Sequence, residues 1–136
     1  MFEYCKTISP TDFVNQNTSF GRGGSVRNLL VHIVNTYQFW IAETALKQNV
    51  DYPKYEDVPD INSIIELFNE VDAFMETFIA SIDDRTIAFE LNGKKDTATA
   101  LKLFTHVITH EFHHKGQILS ISRHLGYIPV DTDVMR

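Results

Sequence analysis

The chain has 136 residues, 43% of them hydrophobic, and a formal net charge of -6 at pH 7. That length suits one domain over residues 1–136 with a real core; the acidic balance and scattered Lys and Arg exclude nucleic acid as the expected partner, because a phosphate backbone needs clustered cations. No stretch offers the ~18 uninterrupted apolar residues of a membrane span, MFEYCKT lacks the regions of a secretory signal, and the single Cys5 has no internal disulfide partner, so a cytoplasmic home is expected.

FEYCKTI reads as the end of a helix. In SPTDFVNQN, Ser9 suits an N-cap and Pro10 a first helical position. FGRGG, Phe20 to Gly24, reads as a loop, after which Ser25 caps a long helix running to Leu46. DYPKYEDVPD, Asp51 to Asp60, is a surface connection with two prolines. A second long helix, Asp60 to Ile82, repeats apolar residues at helical spacing from Ile61 through Phe68 and Met75. The link Thr86 to Thr97 alternates weakly, and its Asn92-Gly93 pair predicts a short extended turn. A third helix is expected from Asp96 to Gly126, with Asp96 or Thr97 as its cap and Gly126 as its stop. Three long helices and a short N-terminal piece predict an all-α fold, a four-helix bundle.

The chemistry concentrates in HEFHHKGQ, His110 to Gln117. Residues four apart share a helix face, so His110 and His114 can clamp one ion from the same side. At ~100° per residue their face also holds Leu103, Val107, Gln117, Ile121 and Leu125. It therefore points inward, where imidazoles are costly without partners. The candidate third ligand is His32 in LLVHIVNT, on a face with Leu29, Thr36, Phe39 and Trp40. A lone histidine there is commonly a hydrogen-bonded core residue; beside an inward His-x-x-x-His pair it becomes a ligand candidate, with His106 as fallback. Three imidazoles leave coordination positions open, the pattern of catalytic sites. Nitrogen donors suit Zn, Ni, Fe or Mn equally, and such an ion can acidify a water or thiol or polarise a carbonyl.

The same stretch contains H-E-x-x-H, in which Glu111 would be the general base of a zinc protease. That reading needs a third ligand downstream. The metzincin spacing asks for Gly and His where this chain has Gln117 and Ser120, and no Glu follows His114. No proteolytic activity is expected, and Glu111 reads as a flank carboxylate bonding a neighbour. His113, ~60° from His110, and Gln117 are candidates for contacts with substrate or with a ligand histidine. His124 complements the helix dipole near the C-terminal end. Tyr37, Phe39 and Trp40 read as core or interface aromatics. Gly116 allows close helix approach or is merely tolerated.

Two segments, FGRGGSVRNLLVHI with His32 and HVITHEFHHKGQILSISRHLGYIP with His110 and His114, resemble the DinB/YfiT-like family, grouped as metal-dependent enzymes. The resemblance runs from Phe20 onward. It implies an up-down-down-up four-helix bundle with a three-histidine metal site. Family activities include thiol-dependent S-transfer, using bacillithiol, mycothiol or glutathione, and isomerisation of maleylpyruvate. The resemblance thus implies a small-molecule substrate, with transferase-like or hydrolase-like chemistry and a thiol as possible cosubstrate; the competing expectation is a non-catalytic stress-response metal-binding protein. The chain departs from the family in its short first helix, which implies an upstream gene start or a partner subunit over the gap. Lys115 also stands where arginine is common, a change expected at the anion contacts of the site's mouth.

A second apolar stripe predicts a homodimer. Leu101, Ile108, Phe112 and Leu119 cluster ~180° from His110, and Leu30, Val34, Tyr37 and Ile41 lie opposite His32.

Overall fold

Four helices begin with the same device: a side-chain oxygen accepts a hydrogen bond from the backbone N–H three residues on. Ser9 takes the Asp12 N–H at 3.2 Å and opens α2, Pro10–Phe13. Ser25 takes that of Asn28 at 3.0 Å and opens α3, Val26–Tyr37. Asp60 takes that of Ser63 at 2.9 Å and opens α4, Ile61–Ala80. Thr99 takes that of Lys102 at 3.2 Å and opens α5, Ala100–His124. Each such cap stabilises by about 1 kcal/mol. A four-residue α1, Phe2–Cys5, precedes them. The structure, a computed structural model, describes residues 1–18 and 24–131; most of the expected FGRGG loop lies outside the described residues.

The start of the last long helix differs from expectation. Asp96 and Thr97 are not its cap, because residues Lys94–Thr99 form a strand, β2, antiparallel to β1, Thr86–Leu91. Asn92 and Gly93 both have positive φ, 53° and 74°, the conformation that closes a two-residue hairpin. Ile87 pairs with Ala98, and these two alone in the hairpin are buried. One inward pair among charged neighbours leaves almost no alternation to read from KKDTAT. The fold is therefore mostly helical with a small two-stranded sheet, rather than all-α.

Helix α3 runs on as a π-helical segment, Gln38–Ala45, marked by the Leu46 N–H donating to the Ile41 carbonyl at 2.9 Å. Wedged against both α4 and α5, α3 is buried on more than one face. Leu30, Val34, Tyr37 and Ile41, expected to form part of a dimer face, are at most 3% exposed inside this one chain. Their cover comes from the chain's own core, which includes Ile64 and Phe78 of α4 and Val107, Ile118 and Ile121 of α5. On α5 the corresponding stripe is open: Leu101 is 66% and Phe112 42% exposed.

The N-terminal segment is pinned to the far end of α5. Tyr4 donates to Ser122 Oγ at 2.6 Å in a buried contact. Tyr127 donates to Asp12 Oδ2 at 2.7 Å and accepts the Ser9 N–H at 2.9 Å. Gly126, with φ of 93°, turns the chain out of α5 toward Tyr127. No helix among the described residues is long and apolar enough to cross a membrane.

Gly116 is exposed in mid-α5, and a Cβ built there meets nothing within 4 Å. Close helix approach is not its role. Gly116→Ala is expected to stabilise the chain by ~0.5–1 kcal/mol, because alanine loses less backbone entropy in a helix. Urea unfolding measures it, and a destabilised variant would show that this glycine serves something other than packing.

Candidate metal centre

Packing of α3 against α5 brings three imidazoles together. His32 comes from α3, and His110 and His114 from successive turns of α5. Each offers one ring nitrogen, and the three nitrogens lie within 4.8 Å of one another. Ring centroids are 4.4 Å apart for His110 and His114, and 4.9 and 4.8 Å from His32 to each of them. His110 Nε2 and His114 Nε2 stand 3.2 Å apart. Two nitrogens sharing one tetrahedral ion at ~2.0–2.1 Å would be roughly 3.3 Å apart, so this spacing fits a common cation.

The surrounding bonds hold the donors ready. His114 Nδ1 lies 2.7 Å from Gln117 Oε1. An amide oxygen only accepts, so Nδ1 carries the proton and Nε2 presents its lone pair toward His110. Gln117 Nε2 in turn donates to His113 Nε2 at 3.3 Å, which ties the exposed His113 into the same chain of contacts. Burial, then the neighbouring His114 and His32 imidazoles, push His110 down to about 4, so it is a neutral donor at neutral pH. Its Nδ1 is buried without a hydrogen-bond partner. Neutral imidazoles whose nitrogens converge in a partly buried cleft are the donor set a divalent ion requires.

His32 and His110 of the cluster line an open cavity of about 390 Å³. His106 does not join the three; it is exposed, with its ring 5.9 Å from His110 and 5.3 Å from Trp40. Phe39 and Trp40, expected as core or interface aromatics, form part of the cavity wall. His124 lies apart and bonds the Ser120 carbonyl of its own helix at 2.7 Å. Cys5 contributes no nucleophile: burial pushes its thiol up to about 11, so the thiolate is scarce at neutral pH.

Glu111 faces elsewhere. Its carboxylate accepts a hydrogen bond from the Tyr37 hydroxyl and pairs with Lys115 Nζ at 2.5 Å. These groups line a larger groove of about 480 Å³ between α4 and α5, with Leu30 and Ile33 of α3 also in its lining. The general base of a zinc protease would have to stand beside the ion, and this glutamate is committed on another side of the helix. Lys115, expected at the mouth of the histidine site, is likewise in the groove, with its ammonium 5.0 Å from the Phe112 ring centroid. Burial, then the bond to Glu111 and its charge, hold the Tyr37 hydroxyl far above its usual range, so it remains a donor. No spacing rule joins Tyr37 to Glu111 across 74 residues; only the α3–α5 contact does.

That network leads to a paired expectation. Tyr37→Phe should cost ~1.5–3 kcal/mol, because it takes a donor from a half-buried carboxylate. Glu111→Gln should leave metal content unchanged. Zinc-dependent peptide hydrolysis that disappears in Glu111→Gln would overturn this placement of the residue.

Comparison with curated proteins finds no match. The family model for the DinB family matches residues 1–136, the whole sequence. Its span takes in α3 with His32 and α5 with His110 and His114, and the chain belongs to the DinB family.

Proposed function

We propose that this protein is a metal-dependent enzyme acting on a small molecule, with His32, His110 and His114 as its ligands. One observation carries the reading: three ring nitrogens converge within 4.8 Å, and two of the three histidines, His32 and His110, line an open cavity. A structural metal site is normally closed by four protein ligands, whereas a catalytic one keeps a position for substrate or water. A bound divalent ion there would supply Lewis acidity toward a thiol, a water or a carbonyl. The residues do the rest. Gln117 holds the His114 ring in one tautomer, the α3–α5 packing fixes the spacing, and the cavity admits the reactant. Thiol S-transfer and hydrolysis are the reactions the family resemblance favours, with a low-molecular-weight thiol as cosubstrate in the first.

The competing reading is a stress-response metal-binding protein without catalysis. Chelation separates the two. Val107, Ile118 and Ile121 of α5 and Leu29 and Ile33 of α3 are fully buried, so the core does not need an ion to stay packed. The protein loaded with Zn, Ni, Fe or Mn should be assayed against electrophiles with a panel of low-molecular-weight thiols, and against hydrolysable esters and amides. Turnover that chelation abolishes while the helical circular-dichroism signal persists supports the enzyme. Unfolding on chelation, with no turnover in any assay, favours the second reading.

Three further readings accompany this one. The helices fit a four-helix bundle in up-down-down-up order, with α1 as a short first member; Met1 and Phe2 at the groove between α4 and α5 support that place for it. Two chains associate through the open stripe of α5. The lone, buried Cys5 suits a reducing cytoplasm.

A further inference from the structure

The cavity beside His32 and His110 has a distinct wall. Among the described residues lining it there is no Lys, Arg, Asp or Glu. Beside the histidines and the uncharged Asn35 and Thr36, one side is apolar and aromatic: Phe39 and Trp40 from the π-helical segment, and Leu91 from the end of β1. The Trp40 indole is held by rings on several sides. Phe39 is 4.8 Å away, Phe89 of β1 5.0 Å and His106 5.3 Å, all edge to face. Such contacts fix a ring in place before any ligand arrives. The hairpin that carries Phe89 and Leu91 is anchored by the buried Ile87–Ala98 pair. Leu91 itself is 44% exposed beside the cavity, so its apolar surface is not spent on the core.

We infer that this wall selects a substrate with a flat, uncharged apolar body, an aromatic ring being the best fit, whose polar reacting head points at the three histidines. The volume suits a molecule of one or two rings. A charged or phosphorylated tail would meet no counter-ion on this lining, and its desolvation would go uncompensated. A ring would lie against Trp40 and under Leu91. The β-hairpin thereby becomes part of the binding site. This inference rests on the metal site proposed above, and the test keeps the two apart.

Benzohydroxamate and acetohydroxamate share one metal-binding head and differ in a phenyl against a methyl group. The chain is loaded with Co²⁺ and titrated with each, following the visible cobalt bands. Emission is followed in parallel; Trp40 is the single tryptophan of the chain, so the signal comes from this wall. Benzohydroxamate should bind about tenfold or more tightly than acetohydroxamate and perturb Trp40 emission more. Leu91→Ser, a change at a half-exposed position, should shrink that ratio severalfold. Cobalt uptake with equal affinities for the two hydroxamates overturns the inference and leaves the metal reading standing. A full preference retained in Leu91→Ser overturns the assignment of the wall. A chain that takes up no cobalt overturns both readings.

Discussion

Replacing His110 or His32 with alanine is expected to abolish stoichiometric metal binding. A structural zinc site gathers ~10–16 kcal/mol from its whole ligand set. Loss of one of three nitrogen donors should therefore weaken binding on the order of a hundredfold or more. The effect should be local. His110 is only half-buried and its Nδ1 has no partner to lose, so His110→Ala should keep its helices. Gln117→Leu tests the orienting contact separately. It removes the acceptor 2.7 Å from His114 Nδ1 and should cost ~10–100-fold, the usual range for a residue that orients a ligand. Metal analysis after dialysis, with isothermal titration for affinity, measures all three. Undiminished metal in both His110→Ala and His32→Ala would remove the proposed site.

Phe112→Glu is expected to convert a dimer into monomers. Phe112 and Leu101 are 42% and 66% exposed on α5, and Ile108 and Leu119 between and beyond them are half-buried. The Phe112 ring carries Lys115 at 5.0 Å, and a second subunit would cover the rest of its surface. Burying a large apolar side chain stabilises by ~1.5–3 kcal/mol. A two-fold interface counts each contact twice, so losing the phenylalanine pair should raise the dissociation constant by roughly a hundredfold or more. Two facing glutamates add repulsion. The α3 residues first grouped with this face are buried within the chain and contribute nothing to it. Light scattering at micromolar concentration decides the matter: a monomeric parent protein would end the proposal. In the dissociated variant, metal content should be unchanged, because Phe112 points away from the histidines.

The helices and the inward direction of their histidines were legible in the chain itself. Caps at Ser9 and Ser25 are local chemistry: a short polar side chain reaches a backbone N–H three residues on, wherever the rest of the protein lies. The 3.6-residue period places His110 and His114 on one face whatever packs against it. It does not determine what packs there. Gln117, one turn past His114 on that face, bonds it within the same helix. That His32 meets the pair, that Glu111 turns to Tyr37, and that both sides of α3 are covered from within are consequences of how α3, α4 and α5 dock. The hairpin's turn was legible at Asn92-Gly93, but its second strand hid for a related reason. Ile87, Phe89 and Leu91 alternate along β1, but only Ile87 and Ala98 are buried and KKDTAT carries a single apolar residue, so the second strand prints no pattern, and Trp40 became part of a cavity wall only once β1 folded back beside it. Local hydrogen bonds and helical period are written in neighbouring residues. His32 could be named as a candidate from its own helix face, but its meeting with the pair and the cavity's walls depend on contacts between residues far apart in sequence, which no neighbouring residue encodes.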